Sequence, residues 1–590
     1  MEKDTAGKKA PDRLQRLREK RREIMALSPE AALDRILEDP QPAAIVHSLP
    51  INDFYLLVHD IGPDDSLPLL ELASDRQWDH IVDLETWQHD RLDISAASRW
   101  LDYLMTAAPD RCVRWAIEKQ LDLVELYLWR NLEVRIREHD QDPSDFGPDF
   151  FSLDSHYYIR IIDLPAPEDE TVFNEEHRQG FINKFLNRLA DYHHPAYQSL
   201  LLETAHIIPA EAEETALHWR NVRLAEKGFV PFDEAVGIYQ PLRPGQLPAR
   251  ALGAGGSAET TDASLPVPVY PFKELASDTH FARALLQIGA GNRLNRIQHE
   301  FAHLCNRIIV ADRLTVRNRD SLREVVKKAC AYISIGLEQL APAAGKVAPE
   351  QAAAHISRHA LGDLFRVGFG RALALKWSAE NWLNECWFAA SGLRLTFWGE
   401  KWMGILGGLL VKKPLFYDNY QSGKLYREFG STTEIEDTES VFLQIKKMDE
   451  LLSLMTIHLR HPSSYGFLTY KNLLLTMWAT SRLGLAPDMV TPMEIDAFRS
   501  FFTRLFPDGD RKGTGKEGRI PESMRQSFLD WLSGETGLKP GEISAQLGPS
   551  FAELFEEIEG ELGTVAADKL DPRFVNLFLL EQPRPTESGN

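Results

Sequence analysis

Apolar and polar residues follow the 3.6-residue period of an α-helix along most of this chain. Near the N-terminus the apolar groups are short and recur, with helix starts predicted at Asn52, Pro63 and Ser74. Helices of two or three turns gain too little from their own hydrogen bonds to stand alone, so they must stack and share a core. The pattern predicts a domain of short helices in superhelical repeats over residues 26–138.

Longer patterns follow this region. They predict helices over residues 96–107 and 110–137, and helices again over 175–240. Aromatic and β-branched residues at 150–153 and 157–162 flank a polar turn, which predicts a small β-hairpin. Residues 139–243 are therefore predicted to combine an acidic hairpin with a helical segment.

Residues 244–268 are rich in Gly, Pro, Ala and Ser and have almost no apolar periodicity, which predicts a flexible linker between domains. Beyond this linker, residues 269–590 are predicted to form a Trp-rich helical bundle. Its predicted helices cover residues 272–288, 292–313, 320–340, 352–390 and 439–460. Residues 414–437 interrupt the helical pattern and suggest a second hairpin.

Five tryptophans lie close together in the second half of the chain. They are Trp377, Trp382, Trp387, Trp398 and Trp402. The first three are spaced by five residues, so their rings point in several directions around a helix. A helix that is apolar on all sides is usually buried, and we interpret this group as core. The whole pattern predicts an all-α, multi-domain fold with one or two small β-hairpins.

The 590 residues carry a formal net charge of -21, which disfavours a general nucleic-acid binder because such proteins need a basic face. The first 22 residues differ, since they hold nine Lys/Arg against four Asp/Glu. We interpret residues 1–25 as a solvated basic tail. The alternative is a weak contact between this tail and an acidic partner or an anionic surface.

The four cysteines, Cys112, Cys305, Cys330 and Cys386, lie far apart without a C-x-x-C pair, as expected of buried thiols in a reducing compartment. The longest nearly apolar run, residues 402–411, is too short to span a bilayer. The N-terminus lacks the apolar stretch of a secretory signal. The sequence therefore predicts a cytoplasmic protein with no transmembrane segment.

One stretch has the form of a catalytic motif, since His299-Glu300-Phe301-Ala302-His303 reads H-E-x-x-H. On a helix, His299 and His303 share a face and are able to bind one zinc ion. Glu300 would then act as general base for a metal-bound water. The pattern suggests a zinc-dependent hydrolase with these three residues as its site.

The surroundings of this motif favour a solvated helix face instead. The apolar stripe of the helix, residues 294, 297, 301, 304 and 308, points away from both histidines. The histidines share the polar side with Arg296 and Arg307, and two guanidinium groups oppose a divalent cation.

A third zinc ligand has no recognisable signature. The metzincin extension requires Gly at position 306 and His at position 309, where this chain has Asn306 and Ile309. Glu324 and Glu338 lie on a later predicted helix and are available as acidic ligands. The metal hypothesis therefore stands on the histidine pair alone.

Two further motifs are incomplete. Residues 508–513 begin like an EF-hand loop, but Lys512 and Arg519 stand at ligand positions 5 and 12. Residues 513–516 lack the spacing of a phosphate loop, and Glu517 replaces its Ser or Thr. We interpret this segment as an exposed loop.

Several stretches resemble known families. Residues 26–135, with L-S-P-E-A-A-L and then D-x-x-x-L-L-E-L, resemble the cytosolic N-terminal helical domain of bacterial magnesium transporters. No metal ligand is carried over from that resemblance. Residues 225–242 (A-E-K-G-F-V-P-F-D-E-A-V-G-I-Y-Q-P-L), 321–338 and 364–375 resemble an uncharacterised bacterial family of unknown function. This second resemblance implies no activity, substrate or catalytic residue.

Taken together, these patterns favour a non-enzymatic scaffold or regulatory protein that binds a protein partner through helical surfaces. No cofactor is expected under this interpretation. The alternative is the zinc-dependent hydrolase, with His299 and His303 as metal ligands and Glu300 as base.

Overall fold

A computed structural model describes residues 17, 19–21, 23–163, 175–250, 275, 279–288, 292–341, 347–459, 467–485, 489–507 and 518–582. The chain divides into two compact units, Met1–Val367 (unit 1) and Gly368–Asn590 (unit 2). The described residues are mainly helical, with three small two-stranded antiparallel sheets. The predicted all-α class with small hairpins is confirmed.

The first helices of unit 1 are short, as the apolar pattern predicts. They are α1 (Pro29–Leu37), α2 (Pro42–Ser48), α3 (Ile51–Ile61), α4 (Leu67–Leu72) and α5 (Asp75–Glu85). Ser74 caps α5, because its main-chain nitrogen donates to Gln77 Oε1 at 2.8 Å in a capping box. A two-stranded ribbon, β1 (Trp87–Gln88) and β2 (Arg91–Leu92), follows α5.

The middle of unit 1 holds longer helices and a second ribbon. These elements are α6 (Ile94–Ala107), α7 (Pro109–Lys119), α8 (Leu121–Asn131), β3 (Leu132–Ile136), β4 (Tyr157–Ile161), α9 (Glu175–Tyr192), α10 (His194–His206), α11 (Pro209–Glu226) and α12 (Phe232–Val236). The core contains Trp78, Trp100 and Trp115, each at most 2% exposed. The rings of Trp78 and Trp115 meet edge to face with centroids 5.6 Å apart.

The prediction of one helix over residues 110–137 is wrong. The chain forms α7 and α8 and then enters strand β3. The break falls at Gln120, which is buried and whose side-chain amide donates to Asp79 Oδ1 at 2.8 Å. This long-range hydrogen bond has no signature in the local periodicity, whereas the alternation of β3 is typical of a strand.

The predicted hairpin has a different partner strand. β4 pairs with β3, from Leu132 opposite Ile161 to Ile136 opposite Tyr157. The stretch 150–153 contributes a single bridge, between Phe151 and Ile159. β3 offers five successive ladder pairs, so it competes better for β4 than the short stretch before the turn.

The remaining helices among the described residues of unit 1 are α13 (His280–Gln287), α14 (Asn292–Asp312), α15 (Arg319–Glu338) and α16 (Pro349–Arg358). Helix α17 (Leu361–Glu385) begins in unit 1 and contains the boundary between the units. The prediction of one helix over residues 352–390 is therefore wrong, since α16, α17 and the short α18 (Trp387–Ala390) occupy this range. The domain boundary predicted in the linker is untested, because residues 251–268 lie outside the described residues.

Unit 2 continues with α19 (Gly399–Leu410), β5 (Phe416–Tyr417), β6 (Tyr426–Arg427), α20 (Thr432–Leu454), α21 (Tyr470–Arg482), α22 (Ile495–Leu505), α23 (Glu522–Thr536), α24 (Pro540–Leu547) and α25 (Pro549–Leu562). β5 and β6 form the second hairpin that the sequence suggested. The hairpin packs against glycines of α19, where a Cβ on Gly408 would lie 2.5 Å from the carbonyl oxygen of Leu415.

The tryptophan group divides between core and surface. Trp382, Trp398 and Trp402 are buried, and Trp402 stacks on Tyr470 with centroids 4.7 Å apart. Trp377 is 46% exposed, so the five rings do not form one buried set. Among the described residues, no helix combines the length and apolar character needed to cross a bilayer.

Candidate functional site

A cleft of about 950 Å³ opens in unit 1 between α3, α11 and the C-terminal part of α14. The ribbon β1–β2 and the segments 229–233 and 313–316 complete its walls. This volume lies at the upper end of the range found for small-molecule sites. The elements that form the cleft are far apart in the sequence, so the cleft exists only in the folded unit.

The walls of the cleft combine apolar and polar side chains, with the apolar ones in the majority. Aromatic side chains of Tyr55, Trp87, Phe229 and Phe232 contribute to the lining, together with aliphatic residues of α11 and α14. Phe232 is 38% exposed, and Leu314 of the segment 313–316 is 45% exposed. The cleft therefore presents apolar surface at its mouth as well as inside.

The charged residues of the lining differ in their exposure. Asp90, Asp233 and Arg313 are exposed, whereas Arg220 of α11 is partly buried. The guanidinium group of Arg313 lies 4.3 Å from the ring centroid of Phe232. Asn306 of α14 is 7% exposed, and no described residue forms a hydrogen bond with its side-chain amide.

Arg220 has one guanidinium nitrogen with no partner in the described part of the chain. Its Nε donates to the main-chain oxygen of Asp83 at 2.7 Å, and its Nη1 donates to Asn221 Oδ1 at 3.4 Å. Its guanidinium carbon lies 5.7 Å from the ring centroid of Trp87. Burial lowers the pKa of Arg220 to about 10, with Asp83 opposing this shift and Arg223 adding to it.

The carboxylate of Asp83 pairs with two other cations, Arg223 of α11 and Lys227 directly after this helix. Arg223 Nη2 donates to Asp83 Oδ1 at 2.7 Å, and Lys227 Nζ donates to Oδ2 at 3.2 Å. The Asp83 side chain is 1% exposed. Burial lowers the pKa of Lys227, although Asp83 and Asp79 favour its charged form. Three cations therefore surround one buried carboxylate next to the cleft.

A second buried carboxylate, Glu85, is the last residue of α5, two positions after Asp83. Its oxygens accept hydrogen bonds from Tyr55 Oη at 2.5 Å and from Trp100 Nε1 at 3.2 Å. Arg317 Nη2 lies 3.1 Å from Glu85 Oε2, and His59 Nε2 lies 3.2 Å from Oε1. Burial alone would raise the pKa of Glu85, but these partners outweigh it and lower the pKa to about 2.

This Glu85 network fixes two walls of the cleft. Tyr55 is part of the lining, and Arg317 directly follows the lining segment 313–316. Arg319 Nε also donates to Asp60 Oδ2 at 2.6 Å, so a second ionic anchor follows Arg317 on the same side of the segment. We infer that the segment is held in place by charge and not by regular secondary structure.

His80 of α5 is a buried imidazole behind the cleft wall. It is 0% exposed, and neither ring nitrogen has a hydrogen-bond partner among the described residues. Its ring centroid lies 5.9 Å from that of Tyr55 and 5.7 Å from that of Phe229. Burial, and secondarily Lys227, lowers the pKa of His80 well below its usual value, so the ring is neutral.

The H-E-x-x-H stretch lies on α14, with its apolar stripe buried as predicted. Ile297, Phe301 and Ile308 are 0% exposed. His299 is partly buried and His303 is exposed. Nδ1 of His303 lies 2.9 Å from the carbonyl oxygen of Gly228 and is therefore the protonated nitrogen. Burial lowers the pKa of His299, which favours its neutral form.

Glu300 is engaged in structural contacts. Its Oε1 accepts a hydrogen bond from the main-chain nitrogen of Leu361 at 2.6 Å, and its Oε2 pairs with Arg250. The two candidate third ligands pair elsewhere, Glu324 with Lys327 at 3.1 Å and Glu338 with His280 at 2.9 Å.

Within the ranges that the structure describes, no group of three or more His, Cys, Asp or Glu is placed to hold a metal ion. The zinc hypothesis remains a prediction. The EF-hand-like and phosphate-loop-like stretches fall within residues 508–517, outside the described residues, as do most of the basic tail and residues 251–268 of the linker.

Residues 9–581 match a protein family described as "Family of unknown function (DUF6178)". The chain belongs to this family. The predicted membership in an uncharacterised family is confirmed, and the resemblance of residues 26–135 to the transporter domain remains a prediction. No curated protein and no solved structure matches the chain.

The residues around the cleft have no motif in the sequence. One signal was present, because Arg220, Arg223 and Lys227 are spaced by three and four residues and so share a helix face. Their anionic partner, Asp83, precedes Arg223 by 140 residues, and no local pattern connects them. The tertiary fold alone shows that Arg220 lines a cleft and that Arg223 and Lys227 pair with Asp83 behind it.

Proposed function

We propose that this protein is a non-enzymatic scaffold or regulatory protein, and that its unit 1 binds an acidic segment of a partner protein in the cleft. The observation that carries the proposal is the combination of an apolar lining with a partly buried, incompletely paired arginine, Arg220. Apolar side chains of the partner would fill the cleft, and acidic side chains would face its cations.

A protein segment is favoured over a small molecule by the apolar residues at the mouth of the cleft. Phe232 and Leu314 belong to the lining and are 38% and 45% exposed. A small molecule inside the cleft would leave much of this surface in water, whereas a peptide chain that crosses the mouth would cover it. Exposed apolar patches of this kind mark interaction surfaces.

We infer the charge of the partner segment from the charged side chains in the lining of the cleft and beside it. The two acids of the lining, Asp90 and Asp233, are exposed and screened by water. The cation that is withdrawn from water is Arg220, with Arg223 and Lys227 beside it. An acidic segment would complement these groups, and a basic segment would be repelled.

The test uses synthetic peptides of about twelve residues labelled with fluorescein. One set combines Leu and Phe with Asp and Glu, a second replaces the acids by Asn and Gln, and a third replaces them by Lys. We expect fluorescence anisotropy to show saturable binding of the acidic set and weaker binding of the others. If no set binds saturably, the proposed function is wrong.

Matched variants locate the binding. Phe232→Ala removes an exposed aromatic side chain from the cleft mouth, and Tyr192→Ala removes one from α9, outside the lining. We expect the first variant to weaken acidic-peptide binding about tenfold or more, as hot-spot aromatic residues do. Tyr192→Ala should bind like the unmodified protein. Equal effects of the two variants would place the binding elsewhere.

A cytoplasmic location belongs to the same proposal. The four cysteines are buried and none forms a disulfide, which supports a reducing compartment.

The contact of the basic tail with an anionic surface remains a proposal of its own, because residues 1–16 lie outside the described part of the chain. A vesicle-binding assay with phosphatidylserine would test it.

The zinc-dependent hydrolase is the second candidate. One observation supports it: Nδ1 of His303 faces the carbonyl oxygen of Gly228 at 2.9 Å, which leaves Nε2 of the same ring for a metal. To act as base, Glu300 would have to leave both Arg250 and the nitrogen of Leu361. The first candidate requires no such rearrangement.

A further inference from the structure

We propose that Arg220 is a carboxylate-recognition site, and that an Asp or Glu side chain of the bound segment places its carboxylate against Nη2 of this residue. This inference rests on the proposed function and identifies the group by which the cleft recognises its partner. It also assigns a role to the buried charges of α5 and α11.

The geometry of Arg220 leaves one donor nitrogen for a ligand. Nε is occupied by the main-chain oxygen of Asp83, and Nη1 is directed to Asn221. These two hydrogen bonds and the ring of Trp87 hold the guanidinium plane in place. Nη2 has no protein partner among the described residues, and Arg220 belongs to the lining of the cleft. The side chain is therefore preorganised to donate to a bound group.

The carboxylate of Asp83 favours the charged form of Arg220 but does not pair directly with its guanidinium group. Both oxygens of Asp83 bind Arg223 and Lys227. Asp79, one turn before Asp83 on α5, accepts hydrogen bonds at Oδ1 from Trp115 Nε1 at 2.9 Å and from Gln120 Nε2 at 2.8 Å. Arg220 therefore has no ion pair among the described residues, and a partly buried positive charge is costly until an anion approaches.

The same geometry favours a carboxylate over a phosphate. A carboxylate carries one negative charge, which one incompletely paired arginine matches. A phosphate monoester carries between one and two negative charges at neutral pH and offers three acceptor oxygens. A single free nitrogen would leave most of those oxygens without donors in a partly dehydrated cleft, at a cost in affinity.

Small aromatic probes test this site without a peptide. Phenylacetate, phenylacetamide and phenyl phosphate share a ring that fits the apolar lining and differ in their polar group. Saturation-transfer NMR titrations at pH 7 give the dissociation constant of each. We expect phenylacetate to bind about tenfold or more tightly than phenylacetamide, since hydrogen bonds to charged groups are the stronger ones. Phenyl phosphate should bind more weakly than phenylacetate.

Variants test whether Arg220 causes the preference for phenylacetate over phenylacetamide. Arg220→Gln should abolish the difference between phenylacetate and phenylacetamide, and Arg220→Lys should retain part of it. The matched control is Arg188→Gln, which removes a surface arginine of unit 1 that pairs with Asp110 at 2.9 Å. The control should bind all three probes like the unmodified protein. Circular dichroism melting curves would establish that each variant is folded.

A measurement on the unmodified protein covers the case in which Arg220→Gln does not fold. Photolysis of 4-azidophenylacetate, followed by peptide mapping, should label residues 217–233 or the ribbon that contains Trp87. Labelling outside the cleft would overturn the proposal. So would equal binding of phenylacetate and phenylacetamide, a preference that survives in Arg220→Gln, or tighter binding of phenyl phosphate.

The proposed function and this inference fail in different ways. If acidic peptides bind the cleft but Arg220→Gln binds them as Arg188→Gln does, Arg220 is not the recognition site and the proposed function stands. If no peptide binds while phenylacetate shows the expected preference, the carboxylate site is supported. In that case the partner-segment function is wrong.

Discussion

The main-chain nitrogen of Leu361 donates a hydrogen bond to Glu300 Oε1 at 2.6 Å. The carboxylate that the H-E-x-x-H pattern assigns to catalysis is thus used to start helix α17. Its second oxygen pairs with Arg250. Glu300 of the H-E-x-x-H stretch therefore has a structural role in this fold.

Replacing Glu300 by Ala should destabilise the protein. The variant leaves the first nitrogen of α17 without its acceptor and Arg250 without its partner, at a cost of about 1–3 kcal/mol. Urea unfolding followed by circular dichroism measures the change. Glu324→Ala, which removes an exposed carboxylate from α15, should cost less than about 0.5 kcal/mol. A Glu300→Ala protein as stable as this control would contradict the capping role.

Zinc content separates the two candidate functions. We expect protein that has been stripped, reloaded with zinc and dialysed to retain well below one equivalent, because the two histidines have no acidic third ligand among the described residues. Metal analysis by plasma mass spectrometry gives the value. One equivalent of zinc that disappears in both His299→Ala and His303→Ala would support the hydrolase.

Glu125 of α8 should make stability depend on pH near neutrality. Burial, with Asp122 and Glu203 nearby, raises the pKa of Glu125 to about 7. A carboxyl group whose pKa is raised in the folded state stabilises the fold when protonated, so stability falls as pH rises from about 4.5 to 7.

Glu125→Gln removes this dependence. The variant should be about 1 kcal/mol more stable than the parent at pH 8, after allowance for solvent screening of a partly exposed group, and equal to it near pH 4. Glu118→Gln, on the exposed surface of α7, provides the control. A Glu125→Gln protein that shows no gain at pH 8 would contradict the raised pKa.

His80 should be replaceable by Leu without loss of stability. Its ring nitrogens have no described partners, so the substitution removes two unsatisfied polar atoms and no hydrogen bond. The lowered pKa of His80 also makes the stability of the fold depend on pH. A histidine that is held neutral in the folded state lowers stability as pH falls below about 6.5.

The gain from His80→Leu should therefore be larger at pH 5 than at pH 8. Thermal melts at the two pH values measure it, with the exposed His47→Leu as control. A destabilised His80→Leu protein at pH 8 would show that the imidazole has a bound partner, such as water.

Much of the fold was predictable because it depends on local patterns. The buried stripe of α14 and the start of α5 at Ser74 follow from periodicity and capping, which act within a few residues. The two wrong helix predictions have one cause in common. Gln120 ends α7 through a bond to Asp79, and α17 begins with a bond to Glu300. Such breaks depend on partners that sequence spacing does not connect.

The candidate site was less predictable for the same reason. Arg220 looked like one of several cations on a helix, and Asp83 like an ordinary acid of a short helix. The roles of Arg220 and Asp83 depend on their burial and on which cations each carboxylate already binds. Those properties arise from packing between α5 and α11 and have no one-dimensional signature.

The ion pair between Arg317 and Glu85 has a consequence for the order of folding. The two residues are 232 positions apart, and contacts of such separation form late because a long loop must close first. The helices that precede Arg317 would emerge from the ribosome and begin to pack before Glu85 meets its partner. A nascent or truncated chain that ends before residue 313 would lack one wall of the cleft. We expect the cleft to be complete only after most of unit 1 has been synthesised.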